Sequence, residues 1–158
     1  MAVTIIHPGL NEVPRRSRPK VVGTSILSGR WVALDSTGRV ILPGSQALGL
    51  YLALEGDLLH IGSTTDFGTS PFASTNAVSL PSGVASNEVA LAYGSFVYTV
   101  GPEGCDPTAA LNTGVLAAPD AFGRLVVVAA ANATCVIESR VVDGGGLTSL
   151  LTVKSLGK

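Results

Sequence analysis

The stretch Gly114-Val115-Leu116-Ala117-Ala118-Pro119-Asp120-Ala121-Phe122-Gly123-Arg124-Leu125-Val126-Val127-Val128 reads as a β-hairpin. An apolar run enters Asp120, two residues follow, then Gly123, Arg124 and a valine-rich run. An aspartate at the first turn position accepts hydrogen bonds from backbone two residues on. A glycine at the fourth takes positive φ without steric cost. A type I turn followed by such a glycine is a common short hairpin loop. Upstream, Gly29-Arg30-Trp31-Val32-Ala33-Leu34-Asp35-Ser36-Thr37-Gly38-Arg39-Val40-Ile41 repeats the phrase at a constant offset. Gly29, Asp35, Gly38 and Arg39 fall on Gly114, Asp120, Gly123 and Arg124. This is read as one structural phrase used twice, with Asp35, Gly38, Asp120 and Gly123 as its turn residues. The alternative is two independent hairpins that share good turn chemistry.

Working outward, the rest of the chain reads as more short strands. Val21–Thr24, Leu50–Leu54, Leu58–Ile61, the run 89–100, Ala133–Val142 and Leu147–Val153 are apolar or β-branched and are separated by turn signals. Gly94 is expected to mark a bulge. No long stretch carries a 3.6-residue period, so the pattern predicts an all-β fold. The expected form is a small β-sandwich or barrel-like domain of short antiparallel strands, spanning 21–158 and preceded by an extended N-terminal arm over 1–20. Within the domain, residues 62–88 are rich in Gly, Ser, Thr, Asn and Pro. They predict a long loop carrying two apolar side chains, Phe67 and Phe72, either folded back on the core or offered to a partner.

The arm is read from Pro8, Pro14 and Pro19, which break regular structure, and from Arg15, Arg16, Arg18 and Lys20. Val3, Ile5 and Ile6 are suited to pair as a strand with a neighbour's exposed edge. A disordered tail and a nucleic-acid contact are the alternatives. The cationic cluster is small, and it lacks the interleaved aromatics of single-strand binding.

Bulk properties bound the function. The 158 residues are 46% hydrophobic and only 13% charged, with a formal net charge of -1, and the mean hydropathy is +0.46. That balance favours neither nucleic acid nor an anionic membrane as a partner. No apolar run reaches the ~20 residues a spanning helix needs. The first residues lack the pattern of a secretory signal. High apolarity with few charges predicts surface buried against other subunits. Trp31, the only tryptophan, is expected to be a core or interface anchor.

Chemistry-bearing residues are sparse. His7 and His60 stand alone, and a general base needs an orienting partner. Cys105 and Cys135 have no metal or redox spacing, leaving a disulfide open. No nucleophile elbow or carboxylate pair stands out. An enzyme, a cofactor and a metal are therefore not expected.

Over Gly114 to Leu151, and more weakly over Gly23 to Gly56, the chain resembles the head decoration, or cement, proteins of tailed bacteriophages. The likeness is carried by the G…D…GR turn, the valine-rich strand and the late V-V-D-G-G-G. It implies a non-enzymatic protein, made in the host cytoplasm, that docks on the exterior of the virion's capsid. The implied partners are the major capsid protein and further copies of itself, as a homotrimer. The alternative is another virion accessory or receptor-binding β module, such as a head fibre or tail component.

Overall fold

The computed structural model of the chain describes residues 4–7, 15–17, 20–21, 26–27, 29–54, 79–80, 88–89, 91–142 and 149–158. Its strands are β1 (Thr4–His7), β2 (Arg15–Arg16), β3 (Lys20–Val21), β4 (Ile26–Leu27), β5 (Trp31–Leu34), β6 (Val40–Ile41), β7 (Tyr51–Ala53), β8 (Ser79–Leu80), β9 (Glu88–Val89), β10 (Leu91–Tyr93), β11 (Ser95–Val100), β12 (Leu116–Pro119), β13 (Leu125–Val127), β14 (Cys135–Val142) and β15 (Ser149–Leu156). Among the described residues there are also two short 3-10 turns, Pro102–Gly104 and Ala130–Asn132, and no α-helix. The fold is all-β and antiparallel.

Both hairpin phrases close by the same hydrogen bonds. In the first, Asp35 N donates to Arg39 O at 2.9 Å and Gly38 N to Asp35 O at 3.0 Å. In the second, Asp120 N donates to Arg124 O at 2.8 Å and Gly123 N to Asp120 O at 3.0 Å. The aspartate Oδ1 accepts from the backbone N–H two and four residues on in each case. Gly38 and Gly123 take φ of 79° and 77°, and Gly29 and Gly114 take 80° and 84°. A side chain would be strained at all four.

The likeness extends well past the hairpins. One sheet has the order β2-β10-β7-β5-β6. The other has the order β1-β11-β15-β14-β12-β13. Leaving out β1, each sheet reads, in its own chain order, first, fifth, fourth, second, third. Backbone bonds repeat too. Gly29 N donates to Ala53 O and Ala53 N to Arg30 O, just as Gly114 N donates to Ile137 O and Ile137 N to Val115 O. The buried cluster Ile26, Val32, Val40, Ala53, Val89 and Leu91 occupies the positions of Leu111, Ala117, Leu125, Ile137, Leu151 and Val153 in the second half. The chain is thus two copies of one five-stranded unit. Two unrelated hairpins require no such agreement in strand order and core positions.

The two units stack front to back. Strand residues alternate between faces. Val32, Val40, Ala53 and Leu91 form the inner face of the first unit. Its outer face, Trp31, Ala33, Leu52 and Ala92, joins Phe96, Tyr98, Ile137 and Val153 of the second unit in one core. Trp31 lies 6.2 Å from the Phe96 ring and 6.0 Å from the Tyr98 ring, and its Nε1 donates to Tyr98 Oη at 3.0 Å. The corresponding outer face of the second unit, Leu116, Ala118, Val136 and Lys154, is only half-buried.

One expectation is narrowed at this junction and one changes. Trp31, expected as a core or interface anchor, is a core one beside Phe96 and Tyr98. The three pack together inside one chain, with exposures of 5%, 0% and 0%. Gly94 marks a crossing between sheets rather than a bulge. At φ 96° it lies between the end of β10 in one sheet and the start of β11 in the other.

The turn carboxylates couple this architecture to pH. Asp35 is held below the ordinary carboxylate range by the Thr37 hydroxyl and then by the Arg39 backbone N–H. Asp106 is held low chiefly by the Thr108 hydroxyl, which donates at 2.6 Å. A carboxyl with a depressed native pKa contributes stability that is present above its unfolded value of about 3.9 and is lost as pH falls through the native value. Chemical denaturation between about pH 5 and pH 2 is expected to show stability falling with acid. Asp35→Asn and Asp106→Asn keep an accepting oxygen but do not titrate, and should flatten that slope.

Candidate functional site

Three features stand out: the N-terminal cations, the second hairpin turn and the end of the β14–β15 ribbon.

The described part of residues 1–20 is woven into the chain's own sheets. β1 pairs antiparallel with β11, Ile5 opposite Thr99 and Ile6 opposite Tyr98. The strand expected to seek a neighbour's edge finds one in its own second unit. Arg15 and Arg16 form β2 and pair with Tyr93 and Ala92 of β10. Lys20, half-buried, pairs with Val89 across β3 and β9. Arg15 is exposed. Val3, Arg18, Phe67, Phe72 and His60 lie outside the described residues, as does most of 62–88. Deleting residues 1–20 therefore removes two sheet edges, β1 and β2, instead of trimming a dispensable tail.

The second hairpin turn is docked, not free. Trp31 N donates to Gly123 O at 2.9 Å and Gly44 N to Ala121 O at 3.1 Å, so the first unit grips the turn of the second. Trp31, an expected interface anchor, thus meets the second unit and has no side chain to offer a partner. Arg124 beside the turn donates to Asp120 Oδ2 through Nε at 3.0 Å and Nη2 at 2.8 Å, and pairs with Asp106 at 3.1 Å. The bond to Asp120 raises its pKa. Its guanidinium also sits 5.2 Å from the centre of the Phe122 ring, which is 54% exposed. Arg30 donates to Glu103 O at 3.0 Å across the same seam, and burial, then Arg124, lowers its pKa. Of these side-chain contacts, the Arg30–Glu103 bond joins the two units, while those of Arg124 brace the turn within the second.

The β14–β15 ribbon runs past the core. After a register shift between Ile137 and Ser139, pairing continues to Val142 opposite Ser149. Val141 and Val142 are 61% and 48% exposed. Successive strand residues point to opposite faces, so this end of the ribbon presents apolar surface on both sides.

Comparison with protein-family models, curated proteins and solved structures finds no match. Function therefore has to be argued from these surfaces.

Cys105 and Cys135 are both free thiols, half-buried and buried respectively. Burial pushes each up to about 12. The thiolate is the reactive form, so neither should react with Ellman's reagent in the folded protein near pH 8. Full reaction should appear on adding denaturant, and rapid native labelling of either would contradict this packing. Among the described residues, no group of three His, Cys, Asp or Glu side chains is placed to hold a metal ion. No helix there is long and apolar enough to cross a membrane. The tandem unit was partly visible in the sequence, as the repeated turn. The docking of one unit's turn on the other's strand had no local signal.

Proposed function

We propose that the protein is a non-enzymatic decoration, or cement, protein of a bacteriophage head, binding the outer surface of the capsid and stabilising the lattice of the major capsid protein. The observation that carries this reading is the repeated G…D…GR hairpin unit, on which the resemblance to that family rests and which here builds both halves of the chain. Two well-packed units with Val141 and Val142 left exposed toward the end of the β14–β15 ribbon suit a protein whose work is adhesion. Self-association as a homotrimer belongs to the same proposal.

The test is binding to purified heads. The protein is expected to saturate mature capsids at a copy number comparable to that of the shell subunit, and to raise the temperature at which they release DNA. A few copies per particle would favour a fibre or tail accessory role instead. No binding to heads, with the protein folded, would overturn the proposal. Light scattering on the free protein reads the trimer separately.

A further inference from the structure

The two units diverge at one end of their inner faces. In the second unit, Phe96, Ser155 and Cys135 lie side by side across β11, β15 and β14, with exposures of 0%, 3% and 0%. The pairing registers place Arg15, Tyr93 and Tyr51 at the same positions of the first unit. There the row is open. Arg15 is exposed and both tyrosines are half-buried, their rings 5.4 Å apart and edge to face. They line a cleft of about 460 Å³, together with Lys158 and the bare backbone of Gly94 and Gly157. Among the described residues, no acidic side chain lines it.

The second unit shows what this position looks like when its work is only structural: a phenylalanine plug over a small thiol and a hydroxyl. Nothing in the shared fold demands an arginine and two tyrosines in its place. The cleft has the volume of ligand sites, which pair apolar walls with a few placed polar groups. Its two cations call for an anion, and the tyrosine pair for a flat or apolar group beside it. Its glycine floor, free of side chains, admits an extended backbone, and β2 is the outermost strand of its sheet. We infer that this cleft binds an extended peptide segment of a partner protein carrying a carboxylate next to an aromatic or aliphatic residue. The inference goes beyond the decoration reading and does not require it.

The probe is the blocked peptide acetyl-Asp-Phe-Asp-amide, titrated into the full chain and followed by amide NMR shifts. The amides of Gly49, Gly94 and Gly157 are expected to move together and to saturate. The Asn-Phe-Asn analogue should bind at least about tenfold more weakly, the loss of one charge-assisted hydrogen bond. Added salt should weaken the acidic peptide, since exposed charges are screened. Arg15→Phe, which installs the second unit's plug, should abolish the shifts while leaving the rest of the spectrum in place. If that variant does not fold, Lys158→Gln serves, with weakened peptide binding expected. No saturable shift at these glycines, equal binding of the Asn analogue, or an equal response to sodium acetate alone would overturn the proposal.

Discussion

Gly123→Ala is expected to cost the fold at least twice what Gly38→Ala costs, although the two glycines hold the same place in the same turn. Both are at positive φ, where an L side chain costs roughly 1–2 kcal/mol. For Gly38 that is the whole cost, because an added Cβ meets nothing within 4 Å. At Gly123 the Cβ would stand 2.0 Å from the carbonyl oxygen of Trp31 and 3.0 Å from its nitrogen. These are backbone atoms of the partner unit and cannot swing aside. Relieving them means lifting the turn off β5, with an overpacking cost of about 1–3 kcal/mol more. Against a typical total of about 5–15 kcal/mol, that is a large fraction. Urea denaturation of the two variants side by side measures it. Equal losses would mean that the turn is not seated on Trp31.

The second large effect falls on Trp31 itself. Trp31→Ala is expected to destabilise by about 3–5 kcal/mol, as for other buried aromatic truncations. It removes the ring packed against both Phe96 and Tyr98 and leaves the buried Tyr98 hydroxyl without its indole donor. Burial already pushes the Tyr98 phenol well above its ordinary pKa, so the hydroxyl stays neutral and cannot recover the loss by ionising. The internal control is Leu116→Ala, the same position in the second unit. Leu116 is only half-buried, and its loss should stay below about 1.5 kcal/mol. Thermal and urea unfolding of both variants decide the contrast. Similar losses would show that the two outer faces are equally engaged, as in a closed assembly of several copies.

The contrast between the paired positions also shows what could be read from sequence. The turns at Asp35–Gly38 and Asp120–Gly123 were legible because their chemistry is local. Each uses one aspartate, one glycine and backbone within four residues. The duplication was legible only at those turns. Elsewhere equivalent core positions hold different residues, such as Val32 and Ala117 or Ala53 and Ile137, because each unit fills its own volume. The fate of the N-terminal segment was not legible. The alternation that made Val3–Ile6 a strand says nothing of its partner, and β11 is far away in sequence. The cleft was hidden for the same reason. Arg15, Tyr51 and Tyr93 carry no motif and meet only through sheet pairing.

The front-to-back stacking has a consequence for synthesis. Domains form largely from the N-terminus as the chain leaves the ribosome, at about 5–20 residues per second. The first unit can complete its inner cluster from its own residues, with Val89 and Leu91 the last to arrive. Its outer face, Trp31, Ala33, Leu52 and Ala92, then stays wet until Ile137 and Val153 have been made. For those seconds the nascent chain displays a sticky aromatic face whose cover has not yet been translated. Slower translation through the second half should therefore raise misfolding, while identical full-length chains refolded from denaturant escape that delay.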